Sequence, residues 1–328
     1  MADNKQEKYS NPFIATFTGI TDLFRKHEPA GKLKPGDRLD GKTVLVDGAS
    51  SGLGFAVAVE VVRRGAKVIM ACRSGIPGKG EEVKRQSGSE DIHMLPVDFS
   101  DLSSIRQLVD AIRDLYGKID ILVCNAGLVP KKSRKTIQGL EEMFMVNYLS
   151  KFIFVDLLLK GNCFRNSQSL NPRIIFVSSE THRNPKEFDW DSFGVYREYS
   201  INKSLELYGY YKLLLTTFAV ELSRRLNAGK LKCSVFALCP GPVNTNIGRE
   251  APEIFHPLMK LVFSVFFKSP ARAAIPVVYL AASPDMENIP FDYFFLMSRK
   301  EADEKALNPE NGKKLWEVSR QLVQSLPV

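Results

Sequence analysis

From Lys42 onward, short runs of β-branched and apolar residues alternate with stretches of helical periodicity. The runs predict strands at 43–47, 67–71, 92–97, 119–123, 173–178, 233–238 and near 291–296. The helical stretches begin at Gly54, Ser103 and Gly139, and the longest runs through Tyr208 to Leu226. Strand, helix and strand in this order build βαβ units, in which helices cover both faces of a parallel sheet. The chain is therefore expected to form an α/β fold, a doubly wound parallel sheet in three α/β/α layers.

Length and composition favour one globular domain with an extension. The chain has 328 residues, of which 44% are hydrophobic and 25% are charged, so it can bury a large core. Its five cysteines are widely spread and form no C-x-x-C pair, which argues against a disulfide framework and against a metal site. We therefore expect a reducing compartment and no bound metal.

The charge balance is basic, with 45 Lys and Arg against 37 Asp and Glu and a formal net charge of +8. This excess fits contact with a phosphorylated cofactor, an acidic membrane surface or nucleic acid, and it also fits a solvated surface. Nucleic acid has no support beyond charge, because the basic segment at 131–135 has no interleaved aromatic residues. We therefore expect no nucleic-acid partner.

Residues 1–41 are expected to form an extension ahead of one domain at 42–328. A Gly-, Pro- and Lys-rich segment at 29–41 is typical of a linker. Before it, apolar residues at helical spacing predict an amphipathic helix over 11–27: Phe13, Phe17, Ile20 and Phe24. This helix could lie on a membrane or pack on the domain, and both alternatives stay open.

The sequence contains no run of about 20 apolar residues, the length that a membrane-spanning helix requires. The first residues also lack the apolar core of a signal peptide. We expect a protein that is not secreted and that is soluble or peripherally membrane-associated on the cytoplasmic side.

A glycine-rich turn, Gly48-x-x-x-Gly52-x-Gly54, follows the first strand and opens the first helix. Glycines permit a tight turn and a close backbone approach, and the free N–H groups of the helix start can face a pyrophosphate. The spacing differs from G-x-G-x-x-G, so the position between strand and helix carries the argument. The turn is therefore a candidate dinucleotide site.

Arg73 stands at the end of the second strand, where an NAD enzyme would carry an acid for the ribose 2′-hydroxyl. Its guanidinium can form a bidentate pair with a 2′-phosphate. The residue favours NADP(H) over NAD(H), and the alternative is an ordinary surface arginine.

Two Y-x-x-x-K patterns, Tyr199 with Lys203 and Tyr208 with Lys212, each place the pair on one helix face. An adjacent ammonium favours the phenolate and lowers the pKa of a tyrosine, whose hydroxyl can then exchange a proton with a substrate. Ser179 follows an apolar strand at the carboxyl edge of the predicted sheet, where ligands of open α/β folds bind. Only one of the two Tyr–Lys pairs can be catalytic together with Ser179.

In this order the motifs resemble the short-chain dehydrogenase/reductase family, which has a Rossmann fold. They are Gly48-x-x-x-Gly52-x-Gly54, Asn125-Ala126-Gly127, Asn147, Ser179, Tyr208 with Lys212, and Pro240-Gly241. The resemblance covers roughly 41–327. It implies a catalytic tetrad of Asn147, Ser179, Tyr208 and Lys212.

The resemblance also implies the role of each member of the tetrad. Tyr208 is the acid/base, Lys212 lowers its pKa and holds the nicotinamide ribose, Ser179 orients the carbonyl, and Asn147 supports a proton-relay water. The cofactor carries the hydride. The implied cofactor contacts are Gly48, Ser50, Ser51, Gly52, Leu53, Gly54, Arg73, Asp98, Phe99, Asn125, Ala126, Gly127, Tyr208, Lys212, Pro240, Gly241, Val243 and Thr245.

The resemblance also favours Tyr208 over Tyr199. The stretch at 212–226 is similar to the helix that follows the family's catalytic lysine, and it leads at the expected distance to 239–245. Tyr199 would then lie too far upstream.

Several segments are similar to the branch that contains retinol dehydrogenases, the WW-domain oxidoreductase and protochlorophyllide reductases: 71–73, 146–149, 263–270 and 315–319. The likeness implies NADP(H)-dependent interconversion of a lipophilic carbonyl and its alcohol. A retinal-like compound, a long-chain aldehyde and a steroid or isoprenoid ketone are the candidate carbonyls. An apolar substrate lid is expected at about 247–270, with a buried core helix as its alternative.

Two other functions are open: a catalytically weak NADP(H)-binding scaffold or assembly protein at a membrane, and a protochlorophyllide reductase-like enzyme. The sequence fixes neither the substrate, the direction of the reaction nor the oligomeric state, for which a homodimer is one option. Asp47 stands where most members of the family have threonine. Its charge beside the phosphate loop would weaken cofactor binding unless it is hydrogen-bonded or faces away.

Overall fold

The computed structural model describes residues 28–165, 171–229, 231–241 and 269–327. Its centre is an eight-stranded sheet in the order β3-β2-β1-β4-β5-β6-β7-β8, parallel except for β8, which runs antiparallel to β7. The strands are β1 Thr43–Asp47, β2 Lys67–Cys72, β3 Ile92–Pro96, β4 Ile121–Cys124, β5 Arg173–Val177, β6 Ser234–Cys239, β7 Phe291–Phe295 and β8 Ser298–Lys300. The predicted α/β fold with a doubly wound parallel sheet is confirmed.

Helices cover both faces of this sheet. They are α1 Gly52–Arg63, α2 Gly78–Ser87, α3 Leu102–Tyr116, α4 Ser150–Lys160, α5 Ile201–Ala228, α6 Pro270–Ala282, α7 Glu304–Leu307 and α8 Pro309–Ser325. A short turn at Glu142–Phe144 and a π-helix at Met145–Leu149 lead directly into α4.

The sequence analysis did not predict α2, α6, α8 and β8. The only buried residues of α2 are Gly80 and Val83, so this helix has no apolar stripe to reveal its period. β8 has three residues, which is too short for an alternating pattern.

The pleat of the strands divides the core into two clusters. Leu45 of β1 points into a cluster with α3, α4, α5 and α8, while Val44 and Val46 point into a cluster with α1, α2 and α6. Side chains on a strand alternate between the two faces, so a strand that is buried on both faces must be apolar throughout. All five residues of β1 are buried, which accounts for its nearly continuous apolar sequence.

The segment at 29–41, predicted as a linker, runs along the domain. Ala30 N donates to the carbonyl oxygen of Met297 at 2.8 Å, and Leu39 N donates to that of Arg64 at 2.8 Å. The predicted helix at 11–27 and the predicted lid up to residue 268 lie outside the described residues. Among the described helices, none is long and apolar enough to cross a membrane.

The C-terminal helix α8 packs over the helical segment that runs from the π-helix into α4. Trp316 lies edge-on to Phe152 with ring centroids 5.2 Å apart, and the hydroxyls of Tyr148 and Ser319 are 2.6 Å apart. Both residues of the hydroxyl pair are buried. The contact supports the segment that contains Asn147.

Candidate active site

The candidate residues converge at the carboxyl ends of β1, β4, β5 and β6. Parallel strands place their carboxyl ends at one edge, and the order of this sheet reverses direction between β1 and β4. Ligands of open α/β sheets bind in the crevice at such a reversal. The phosphate loop after β1 and the Asn125–Gly127 segment after β4 face each other there.

Glycines shape the phosphate loop in two ways. Gly48 and Gly52 have positive φ values of 62° and 58°, which favour glycine. A Cβ on Gly54 would stand 2.6 Å from the carbonyl oxygen of Gly48, so helix α1 can only approach the turn this closely with glycine there. Ser51, in the described part of the chain, makes no side-chain bond to the first amides of α1. Those amides can therefore receive a phosphate.

Two cations stand near the end of β2. Arg73 is exposed, and its Nη1 lies 3.9 Å from Asp98 Oδ2. Lys79 packs its stem against the Gly75 turn, where a Cβ on Gly75 would meet Lys79 Cγ at 2.8 Å, and its Nζ pairs with Glu82 Oε2 at 2.7 Å.

Asn125 joins the two strand ends. Its Nδ2 donates to the carbonyl oxygens of Asp47 at 3.0 Å and Gly48 at 3.2 Å. A Cβ on Gly48 would lie 2.8 Å from Ala126 Cα, so the two segments are in direct backbone contact. The Asn-Ala-Gly motif thus lies against the phosphate loop.

Asp47 does not face the phosphate loop. Its Oδ1 accepts from the amides of Asn125, at 2.6 Å, and Ala126, and its Oδ2 pairs with Lys151 Nζ at 2.8 Å. The carboxylate is therefore both hydrogen-bonded and neutralised. Lys151 was missed in the sequence, because an isolated lysine in an apolar helix gives no sign of a partner 104 positions away.

Asn147 is fully buried in the π-helix, and its side-chain amide is held by one residue. Its Oδ1 accepts from Leu128 N at 2.8 Å, and its Nδ2 donates to Leu128 O at 2.8 Å. The amide therefore anchors the chain that leaves β4 immediately after Gly127.

The two serines after β5 have different surroundings. The hydroxyl of Ser178 is buried against Thr216 Oγ1 at 2.7 Å. Ser179 instead lies close enough to the Tyr208 side chain to affect its pKa, and it caps the next turn, where its Oγ accepts from Thr181 N at 3.3 Å. His182 Nδ1 lies 2.6 Å from the carbonyl oxygen of Ser179 and fixes this turn.

Tyr208 and Lys212 are one turn apart on α5, beside Ser179. Burial is the main cause that raises the pKa of Tyr208 above its usual value, and Cys239 is the second, whereas the Ser179 hydroxyl opposes this rise. Lys212 is not among these causes, so the lowering of the Tyr208 pKa that was expected from Lys212 is not found. Burial also lowers the pKa of Lys212 to about 8, with the nearby Lys151 as the second cause. Lys212 Nζ donates to Val177 O at 2.7 Å and lies 5.5 Å from the centroid of the Tyr208 ring.

The other pair, Tyr199 and Lys203, has different partners. The Tyr199 hydroxyl donates to the buried carboxylate of Glu141 at 2.7 Å. Lys203 is exposed and pairs with Glu206 at 2.6 Å. The structure therefore brings Ser179 together with Tyr208 and Lys212 and gives Tyr199 a separate site.

The remaining predicted contacts are dispersed around this edge. Leu53 is buried in α1, and Phe99 is buried beneath Lys151, whose Nζ lies 3.8 Å from the ring centroid. Pro240 and Gly241 follow β6, with Gly241 at φ 76°. Val243 and Thr245 lie outside the described residues.

Comparisons with known proteins identify the family of the chain. A family model described as short chain dehydrogenase matches residues 42–190. Retinol dehydrogenase 14 of Homo sapiens is 34% identical over 304 residues, which cover 87% of this chain and 87% of that protein. The WW domain-containing oxidoreductase of Danio rerio is 32% identical over 337 residues, which cover 98% of this chain and 79% of that protein.

Solved structures share the fold. An uncharacterised protein from Mycobacterium paratuberculosis is similar with a TM-score of 0.68 and 27% identity, over 92% of this chain and 100% of that one. RhlG of Pseudomonas aeruginosa, solved with NADP, has a TM-score of 0.62 and 21% identity over 80% of this chain and 98% of that one. This chain belongs to the short-chain dehydrogenase/reductase family, in its retinol dehydrogenase-like branch.

Proposed function

We propose that the chain is an NADP(H)-dependent oxidoreductase that interconverts a lipophilic carbonyl compound and its alcohol, with Tyr208 as the acid/base. The observation that carries the proposal is the meeting of Ser179, Tyr208 and Lys212 at the carboxyl end of β5. A proton donor, a second hydroxyl and a buried cation there match the needs of carbonyl reduction.

The roles of these groups follow from their protonation. Because burial raises the pKa of Tyr208, its hydroxyl keeps its proton at neutral pH and can donate it to a carbonyl oxygen. Ser179 offers a second hydrogen bond to the same oxygen. The ammonium of Lys212 stabilises the phenolate that remains after donation. A nicotinamide cofactor would supply the hydride.

The choice of NADP(H) rests on Arg73 and on the loop around it. Its guanidinium is exposed beside the adenosine end of the expected site, with only a long contact of 3.9 Å to Asp98 recorded among the described residues. A 2′-phosphate carries negative charge and accepts bidentate bonds from arginine, so Arg73 suits NADP(H) better than NAD(H).

The lipophilic substrate is inferred from the relatives and from the sequence. Several of the similar proteins are named retinol dehydrogenases, and retinol is a lipid alcohol. The segment at 254–267 is rich in Phe, Leu and Val. We propose that this segment contacts the apolar part of the substrate.

A direct assay tests this function. Purified protein is mixed with NADPH and either retinal or a long-chain aldehyde, and oxidation of NADPH is followed by its absorbance. We expect oxidation with both substrates and much slower oxidation with a short, water-soluble aldehyde. Tight NADPH binding without turnover on a broad carbonyl panel would refute the enzyme and support the NADP(H)-binding scaffold instead.

A further inference from the structure

Asp47 and Lys151 form an ion pair that is almost completely removed from solvent. Their side chains are 0% and 1% exposed, and Nζ lies 2.8 Å from Oδ2. Burying two charges costs free energy that only good geometry and further hydrogen bonds can offset. A pair of this kind is a poor way to gain stability alone, so its position in the site calls for another explanation.

The pair connects three parts of the site. Asp47 ends β1, and its other oxygen accepts the amides of Asn125 and Ala126 after β4. Lys151 lies one helical turn after Asn147, which holds Leu128 by two bonds of 2.8 Å. The segment at 125–128 is thus held at one end by Asp47 and at the other by the helix that carries Lys151.

Lys212 lies against the same segment, because a Cβ on Gly127 would stand 3.8 Å from Lys212 Nζ and 2.9 Å from Asn147 Oδ1, one helical turn before Lys151. The charge of Lys151 acts on Lys212 at this place. Burial is the first cause of the lowered pKa of Lys212, the charge of Lys151 is the second, and Asp47 acts in the opposite direction. Four other strands and helices bring titratable groups to Lys212: Asp47 of β1, Cys124 of β4, Lys151 of α4 and Cys239 of β6. Tyr208 faces it from the same helix, α5.

We propose that the Asp47–Lys151 ion pair is a positioning pair for the active site: Asp47 fixes the 125–128 segment against the phosphate loop, and Lys151 sets the charge that Lys212 experiences. Neither residue is proposed to touch the substrate. The inference rests on the proposed function, because positioning an active site matters only in an enzyme. Its tests measure amide exchange, NADPH binding and the titration of Lys212, and none of them requires turnover.

The anchoring role is tested with two double variants of equal charge. Asp47→Asn/Lys151→Met keeps an acceptor oxygen at position 47, whereas Asp47→Ala/Lys151→Met removes it. We expect amide exchange at Asn125 and Ala126, followed by NMR, to be at least about tenfold faster in the alanine variant than in the asparagine variant. We expect the NADPH affinity of the alanine variant to be lower than that of the asparagine variant by about the same factor. Equal exchange and equal affinity in both variants would overturn the anchoring role.

The charge role is tested with Lys151→Met alone. Loss of the Lys151 ammonium removes a positive charge near Lys212. The pKa of Lys212 should therefore rise by about half a unit or more. The titration is read by NMR of isotope-labelled lysine side chains. Lys160→Met is the control, because Lys160 lies on the same helix and pairs with Asp156 at the surface. A Lys212 midpoint equal to that of the control would overturn the charge role.

Lys151→Met leaves Asp47 buried without its cation and can fail to fold for that reason. In that case Asp47→Asn/Lys151→Met replaces it, because this change leaves no unpaired buried charge. The effect of Lys151 on Lys212 is larger than the opposing effect of Asp47, so the Lys212 midpoint should still rise. An unchanged or lower midpoint in this double variant would overturn the charge role. A protein that binds NADPH but reduces no carbonyl would refute the proposed function and leave both tests of the ion pair valid.

Discussion

Lys212 Nζ lies 2.7 Å from the main-chain oxygen of Val177 and so ties α5 to the end of β5. Lys212 as a whole is 4% exposed, and its hydrogen bond lies directly before the two serines that follow the strand. Burial, the first cause, and the charge of Lys151 lower its pKa to about 8. Lys212 is therefore charged at neutral pH and titrates just above it.

We expect this titration to limit the reaction at alkaline pH. Below about pH 8 Lys212 is charged, and above it the ammonium is lost together with its effect on the Tyr208 phenolate. The rate of carbonyl reduction at saturating NADPH should therefore fall with a midpoint near this value. A kcat profile measured from acid to alkaline pH checks this. A rate that stays constant well above the midpoint would show that Lys212 acts without its charge.

The two tyrosines of the Y-x-x-x-K patterns should respond differently to loss of the hydroxyl. Tyr208→Phe removes the proposed proton donor, so kcat should fall by about 100-fold or more while NADPH affinity changes little. Tyr199→Phe leaves the buried Glu141 with one donor fewer and should mainly reduce the free energy of unfolding, by about 1–3 kcal/mol. These predictions are checked by measuring kcat, NADPH affinity and the free energy of unfolding of both variants. Loss of turnover in a folded Tyr199→Phe protein, with Tyr208→Phe active, would reverse the assignment.

Arg73 should determine the preference between the two nicotinamide cofactors. Arg73→Ala removes a charge-assisted bond worth about 1.5–3 kcal/mol to the 2′-phosphate, so NADPH affinity should fall by about 10- to 100-fold. NADH has no such phosphate and should bind as before. Arg113→Ala is the control, since Arg113 is a surface arginine paired with Asp110 and Asp114. An equal loss for NADPH and NADH would contradict the 2′-phosphate contact.

Features encoded by local pattern were predictable, and features that depend on distant contacts were not. The positions of Gly48, Gly54 and Ser179 follow from strand ends, because a run of apolar residues shows where a strand stops. The two Y-x-x-x-K patterns have the same spacing, and their difference lies in the partner Glu141, far from Tyr199 in sequence. Lys151 had no local signal, since its ion pair with Asp47 forms only when β1 and α4 pack together.

His182 should make the stability of the protein depend on pH. It is fully buried, and burial, followed by the charge of Arg183, lowers its pKa from 6.5 to about 4. Asp303 N donates to Nε2 at 3.1 Å, so Nδ1 carries the proton and donates to the oxygen of Ser179. Between these two pKa values the unfolded chain binds one more proton than the folded chain.

Stability should accordingly fall as the pH drops from about 6.5 to 4, and His182 should account for about 3 kcal/mol of that loss. His182→Asn keeps a donor for the Ser179 oxygen and has no titrating ring. Its free energy of unfolding should be lower than that of the unchanged protein at neutral pH and less dependent on pH over this range. Parallel pH dependences for the two proteins, measured by urea denaturation, would show that His182 is not the source.

The hydroxyl pair of Tyr148 and Ser319 should bind α8 to the helical segment that carries Asn147. Ser319→Ala leaves the Tyr148 hydroxyl buried without its partner, which should cost about 1–3 kcal/mol of unfolding free energy. In Tyr148→Phe/Ser319→Ala both polar groups are gone, so part of that loss should be recovered. Urea denaturation of the single and double variants measures the coupling. If the double variant is less stable than Ser319→Ala, the Tyr148 hydroxyl stabilises the protein through a contact other than Ser319, and the hydroxyl pair does not hold α8 in place.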